Sequence, residues 1–245
     1  MVVSQRFLVI AALFITCLIT ANIIAVKLIT LGIEPIRHGG FQFPGPLPAA
    51  IVIFPISYIF GDILTEVYGY RQARKVIWLG FLCNLIAVLA FWVAGRIPAL
   101  DSGVQNAYER ILGYAPRLLV ASFLAYLVGE FANSFVLAKM KIATRGRWLW
   151  TRTIGSTLVG QLLDSGVFIL IAFSGTMGWG ALGTMVVTHW LVKTGYEALA
   201  TPFTYMIVGY LKKKEGIDTY DYKTNFNPLL VFPFSLLSRR KASQE

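Results

Sequence analysis

Charge is scarce in this sequence, and the residues that most often do chemistry are scarcer still. Only 14% of its 245 residues are Asp, Glu, Lys or Arg, against about 25% in an ordinary soluble domain. There are two cysteines and two histidines. Cys17 and Cys83 both sit in apolar runs, which argues against a disulfide framework and reads as two buried small hydrophobes. No His-Glu-x-x-His, Gly-x-Ser-x-Gly or Gly-x-x-x-x-Gly-Lys-Ser/Thr pattern occurs, and no Cys/His cluster has metal spacing. The chain therefore lacks the signatures of a metallohydrolase, a serine hydrolase or a nucleoside triphosphatase. It calls for no cofactor, and it does not read as an enzyme.

What fills the space is apolar. Hydrophobic residues make up 56% of the chain and mean hydropathy is +0.66, above the roughly 45–50% apolar content of soluble domains. This is an all-α integral membrane protein by composition, and its length needs one domain. Six segments approach the roughly 20 apolar residues that a membrane helix requires. They fall at about 7–31, 47–68, 75–97, 117–139, 154–174 and 181–211. Residues 1–214 thus form a six-helix transmembrane domain and 215–245 a tail. The first apolar run is longer than the core of a cleaved signal and reads as a retained helix. Pro44, Pro46 and Pro48 push the entry to the second helix towards an extended or re-entrant path. The sixth is long and carries Pro202, so a kink or tilt is expected. The 98–116 stretch reads as a polar loop.

The net charge of +10 could signal nucleic acid, but hydrophobic helices leave no basic face free, so no nucleic-acid partner is expected. The Lys and Arg residues gather instead on one side of the bundle. Arg6, the Arg71–Lys75 loop, the Lys139–Arg152 loop and the Lys212–Lys241 tail share it, leaving only Arg37, Arg96, Arg110 and Arg117 opposite. Under the positive-inside rule both termini are cytoplasmic, which an even helix count requires. The expected location is the cell (inner) membrane.

The informative residues are the polar ones inside these spans. They are Asn22 and Lys27, Asp62 and Glu66, Asn84, Glu130 and Asn133, Gln161 and Asp164, and His189, Lys193 and Glu197. A charge at mid-membrane costs about 2.5–3.5 kcal/mol on insertion scales, so these groups must converge on a shared interior. Spacing agrees. His189, Lys193 and Glu197 recur every four residues, and Asp62/Glu66, Glu130/Asn133 and Gln161/Asp164 each share a helix face. Ser156, Gly160 and Asp164 also recur every four, so a close helix neighbour should sit on the acid's face. Asp164 is 12 residues past Arg152, about 18 Å inward. Glu66 should lie at the interface as a partner for Arg74 or Lys75, and Asp62 at the inner margin. Two readings stand for the core set. It is a buried ion-pair network built on Lys193 with Asp164 or Glu197, or it is a polar cavity for a solute or proton.

The stretch Phe54–Gly69 (FPISYIFGDILTEVYG) resembles the signature of the queuosine precursor transporter (VUT) family. Ala21–Lys27, Ala121–Glu130, Ser156–Ser165, Lys193 with Tyr196-Glu197 and Pro202, and Asp221–Pro228 also fit, so the resemblance covers essentially the whole chain. It implies a six-helix importer of 7-deazaguanines such as preQ0 or preQ1. Asn22, Asp62, Glu130, Gln161, Asp164, Lys193, Tyr196 and Glu197 would form the substrate site. Carboxylates and amides would meet the donors of the guanine-like edge, and Tyr58, Phe60, Tyr126, Phe168, Trp190 or Tyr196 would stack on its ring. The family is also thought similar to the substrate-binding subunits of energy-coupling-factor transporters. That leaves an alternative in which an ATP-driven coupling module docks on the Ala21/Ala25 face of helix one, and a further one in which the protein is a membrane enzyme acting on the base. A homodimer through small-residue helix faces is compatible with the sequence.

Overall fold

A computed structural model describes residues 4–29, 36–38, 41–43, 47–113, 116–175 and 178–231. Pro44, Pro46 and the basic residues Arg239, Arg240 and Lys241 lie outside the described residues. Among the described residues seven α-helices follow in order: α1 (Gln5–Ile24), α2 (Phe54–Tyr68), α3 (Tyr70–Gly95), α4 (Ser102–Leu112), α5 (Pro116–Ala143), α6 (Leu149–Phe173) and α7 (Trp179–Glu215). Between α1 and α2 the chain forms two short antiparallel pairs. The first joins β1 (Leu28–Ile29) to β4 (Leu47–Pro48), and the second joins β2 (Ile36–His38) to β3 (Phe41–Phe43). The protein is therefore helical, with a small strand-rich connection that the proline cluster left undefined.

Among the described residues four helices are long and apolar enough to cross a membrane: α1, α3, α5 from Val120, and α6. Large apolar side chains stand exposed on them. On α3, Leu79, Leu82, Ile86, Leu89 and Val93 are all exposed at alternating spacings of three and four, a continuous stripe suited to lipid. Helix α2 is different. At 15 residues it is about 22 Å long, and every residue from Gly61 to Tyr70 is buried. Pro55 sits in its first turn, where a missing N–H costs nothing, so this proline starts the helix and does not kink it. Helix α7 runs 37 residues without interruption at Pro202, about 55 Å, longer than a bilayer core. The 98–116 stretch is not a plain loop. It contains the amphipathic α4, N-capped by the Asp101 side chain.

Among the described residues helices α5 and α6 make the most extensive contact, and glycine explains it. A Cβ on Gly129 would lie 2.7 Å from Asp164 Cβ and 2.9 Å from the Tyr58 hydroxyl, and one on Gly160 would lie 2.7 Å from Asn133 Cβ. Backbones that close admit no side chain between them. The Ser156–Gly160–Asp164 face is thus the one that packs, as its spacing implies.

The second organising feature is an ion network at the end where α2, α5 and α7 finish and α6 begins. Glu66, wholly buried, accepts from Arg152 Nε and Nη2 at 2.8 Å each and from Lys212 Nζ at 2.6 Å. Lys141 Nζ stands 3.5 Å from the same carboxylate and donates to the Glu66 carbonyl. Asp218 then bridges Lys141 at 2.6 Å and Lys212 at 2.9 Å. The expected pairing of Glu66 with Arg74 or Lys75 at the interface is corrected. Gly69 ends α2 and turns the chain with φ +82°, which puts Arg74 and Lys75 on the next helix while Glu66 stays on the buried end of α2. Arg74 faces the tail, donating to the carbonyls of Asn225 and Asn227 at 2.9 and 2.7 Å.

That tail is strapped down along α3. Asp221 accepts from the Tyr70 backbone N–H at 2.9 Å, which caps the start of α3 from a distant part of the chain. The Tyr70 hydroxyl donates to the Phe226 carbonyl and Trp78 Nε1 to the Pro228 carbonyl. Ser4 and Arg6 both reach Glu215, so the N-terminus and the end of α7 share this side.

Four variants test these contacts by stability in detergent. Gly129→Ala and Gly160→Ala, which force a Cβ into the closest helix crossing, should each lower the thermal midpoint by an amount equivalent to about 1–3 kcal/mol. Glu66→Gln leaves buried cations without their counter-charge and should cost about 3–5 kcal/mol. Asp218→Asn should cost less than about 1 kcal/mol, because its side chain is 43% exposed. Burial works to raise the Asp218 carboxyl, but hydrogen bonds and charge from Lys141 and Lys212 outweigh it and hold the group below the usual carboxylate range. Its contribution is therefore complete above the unfolded value of about 3.9 and is lost as pH falls through the lower folded value. Thermal midpoints measured from neutral to acidic pH should show this acid limb in the wild type and a smaller one in Asp218→Asn.

Candidate functional site

A cavity of about 100 Å³ opens among α1, α5, α6, α7 and the 3₁₀ turn at 49–52. Its apolar wall comes from Leu18, Ala21, Ala25, Pro48, Ala50, Ile51 and Ala125, its aromatic wall from Tyr126 and Phe168, and its polar wall from Asn22, Ser122, Asp164, Ser165, His189 and Lys193. Helical periodicity sets each contribution. Leu18, Ala21, Asn22 and Ala25 are one stripe of α1; Ser122, Ala125 and Tyr126 one stripe of α5; Asp164, Ser165 and Phe168 one stripe of α6. His189 and Lys193, four apart, are the inner face of α7.

Two contacts organise the polar side. Lys193 Nζ lies 2.7 Å from Asp164 Oδ2, joining α7 to α6. The Ser122 hydroxyl donates to Asn22 Oδ1 at 3.2 Å, joining α5 to α1. Neither charged group is fully withdrawn from the cavity, with 12% of the Lys193 side chain and 7% of Asp164 exposed. A flat, polar-edged molecule would find a carboxylate, an ammonium, an amide, hydroxyls and two aromatic rings in the same lining.

Of the eight residues the sequence nominated, Asn22, Asp164 and Lys193 line this cavity. Asp62, Glu130, Gln161 and Glu197 do not line it. They are buried one layer further towards the Glu66 network, with exposures of 0 to 1%. Tyr196 stands apart, 39% exposed and outside the lining. Trp190, another stacking candidate, donates its indole N–H to the Leu158 carbonyl at 2.9 Å. Lys27 is exposed beyond the end of α1. Of the two alternative pairings for Lys193, the structure contains the one with Asp164.

In the deeper layer Asn133 Nδ2 donates to Asp62 Oδ1 at 2.7 Å, and Glu130 presses against the backbone beside Asp62, its Oε2 3.1 Å from where a Gly61 Cβ would be. Tyr58, 1% exposed, has Asp164, Glu130 and Asp62 as electrostatic neighbours, so it stands between the cavity and the deeper acids. His189 lies in the polar stripe that it forms with Lys193 and Glu197, but Ser122 and Ser165 are not marked by spacing. Hydroxyls carry no penalty large enough to single them out in an apolar helix. Among the described residues no group of three or more His, Cys, Asp or Glu is placed to hold a metal ion.

Comparison with known proteins bears on this arrangement. The family described as "Putative vitamin uptake transporter" matches residues 48–207, a stretch that carries α2 through most of α7. A probable queuosine precursor transporter of Bacillus subtilis (strain 168) is 31% identical over 158 residues, 63% of this chain and 68% of its own length. The queuosine precursor transporter of Escherichia coli (strain K12) is 26% identical over 56% of this chain and 58% of its own. A probable queuosine precursor transporter of Haemophilus influenzae is 24% identical over 49% of each. The chain thus spans between about half and two thirds of these relatives. No solved structure gives a significant match. With several apolar helices around a buried polar interior, and a family match across most of them, the chain is a multi-pass α-helical membrane protein that belongs to the vitamin uptake transporter family and stands among transporters, not enzymes.

Proposed function

We propose that this protein imports queuosine precursors, 7-deazaguanine bases such as preQ0 or preQ1, across the cell inner membrane. The observation that carries the reading is the cavity itself. It brings the Asp164–Lys193 pair and Asn22 into one lining with the aromatic rings of Tyr126 and Phe168. A deazaguanine offers ring N–H and amino donors on one edge and a carbonyl on another. Asp164 would accept from the donor edge, Lys193 and Asn22 would meet the carbonyl, and a ring wall would cover the flat face. The substrate class named for the B. subtilis and E. coli relatives supports the same assignment.

In this reading all six long apolar segments cross the membrane, residues 1–214 form the transmembrane domain, and both termini face the cytoplasm. The Glu66 network and the tail strap then close the cytoplasmic end. The alternative of an ATP-driven coupling module loses one of its supports. Ala21 is 2% exposed and lines the cavity with Ala25, so the small-residue face of α1 points inward and is not free to dock a partner. A homodimer would have to use another face, such as the exposed stripe of α3.

Two measurements test the proposal. Uptake of labelled preQ0, preQ1 and queuine should be measured in a host lacking its own transporter. Asp164→Asn should lower uptake of the preferred base about 10- to 100-fold, as expected for loss of a charge-assisted hydrogen bond of about 1.5–3 kcal/mol. Normal transport by that variant would remove the base from this cavity. For the topology, a cysteine at Gln105 in α4 of a Cys17- and Cys83-free protein should react with an impermeant maleimide added outside intact cells. A cysteine at Lys213 should react only after lysis.

A further inference from the structure

The cavity does not use the deeper acids, and their surroundings are peculiar. Asp62, Glu130 and Glu197 are at most 1% exposed. Asp62 Oδ2, Glu130 Oε2 and both carboxyl oxygens of Glu197 have no hydrogen-bond partner among the described residues. Two buried amides make the same point independently. Asn133, 0% exposed, gives its N–H to Asp62 and keeps its own oxygen unpartnered beside it. Gln161, 1% exposed and one turn from Asp164, also has an unpartnered carbonyl oxygen. These six orphaned oxygens are all acceptors if the acids are ionised. Buried charge without a partner is among the costliest features a fold can hold, and nearby Glu66 shows how thoroughly this chain pairs a carboxylate when it needs the charge.

Something positive must therefore be supplied. A metal cation would need several carboxyl groups converging on one point, and no group of three or more His, Cys, Asp or Glu among the described residues does so. A proton needs no such convergence. Bound to a carboxyl oxygen, it cancels the charge and turns one acceptor into a donor for a neighbouring amide or carboxyl oxygen. We propose that the Asp62–Glu130–Glu197 layer is a proton-binding site, filled in this conformation, whose proton travels with the substrate.

The step balances without redox chemistry. A proton leaves water or a buffer acid on the cavity side and forms an O–H bond on a carboxylate of the layer. When the Glu66 end opens, that O–H bond breaks, the proton passes to water on the other side and the carboxylate is restored. The charged and titratable groups facing the layer can be named from each element. They are Tyr58 and Glu66 on α2, Tyr126 on α5 with Cys83 of α3 beside it, and Asp164 on α6, together with Lys193 and His189, one and two turns from Glu197 on α7. Asp164 is already engaged by Lys193 and Glu66 by Arg152 and Lys212, whereas the three acids of the layer form no ion pair among the described residues.

The proton site is tested without any substrate. Infrared spectra of the purified full-length protein in lipid nanodiscs should show the C=O stretch of a protonated carboxyl at neutral pH, moving in heavy water and disappearing at strongly alkaline pH. At least one of Asp62→Asn, Glu130→Gln and Glu197→Gln should diminish it, and Glu197→Asp provides a conservative change should an amide variant not fold. Absence of the band in the wild type, or its persistence undiminished in every folded variant, overturns the site. The coupling rests on the transport reading and is tested in proteoliposomes. An inward proton gradient should raise accumulation of labelled preQ1 several-fold, and a protonophore should abolish the gain. No response of measurable uptake to the gradient overturns the coupling. A carboxyl band with no uptake of any precursor leaves the proton site standing and sinks the transport reading.

Discussion

The structure depends on how an apolar helical bundle accommodates carboxylates. The low dielectric of such an interior solvates charge poorly, so an ionised acid there must be given counter-charge and hydrogen bonds or must give up its charge. This chain does both, in two places one helical turn apart. Glu66 is wholly buried and bound by Arg152, Lys212 and Lys141, from three different helices. Asp62, the preceding turn of the same helix, has one amide donor and an unpartnered oxygen. The first solution makes a rigid end. The second leaves a layer whose charge state can change.

Helix α2 is where these meet, and its setting follows from its sequence. It is short, starts at a proline, and ends at Gly69, whose φ of +82° few other residues adopt without strain. Buried on all sides from Gly61 onward, it is the axis on which the spanning helices assemble. The glycine-lined crossing of α5 and α6 then brings Asp164 and Asn133 within reach of it, because only backbones that nearly touch put those side chains at the right depth. The tail completes the rigid end. Asp218 bridges two of the lysines around Glu66, and Asp221 caps α3. Residues far outside the hydrophobic segments are thus part of the same electrostatic unit.

These features combine into a membrane protein with a polar cavity on one side of an acid layer and a closed ionic seal on the other. Transport across such a structure requires the seal to loosen while the cavity is occupied, since the two lie along the same helices. A chain this poor in charge commits five of its acids (Asp62, Glu66, Glu130, Asp164 and Glu197) to this one axis. Acids do not collect in an apolar bundle by composition alone, because each must offset its own insertion cost.

Much of this was legible from the sequence alone. Long apolar runs, clustered Lys and Arg, and acids at helical spacing establish a helical membrane protein with a shared polar interior, because lipid gives those residues no other stable arrangement. Four-residue periodicity alone put Asp164 on the same face as Gly160 and His189 on the same face as Lys193. The tertiary structure decided the partners. Glu66 pairs with Arg152 and Lys212, 86 and 146 residues away, whereas proximity in sequence favoured Arg74. Periodicity also could not separate Asn22, Asp164 and Lys193, which line the cavity, from Asp62, Glu130, Gln161 and Glu197, which lie beneath it, or show Tyr196 facing out. Spacing along one helix gives direction around that helix only. How deep a side chain lies, and whose charge it meets, is set by the neighbouring helices, and only their packing supplies that.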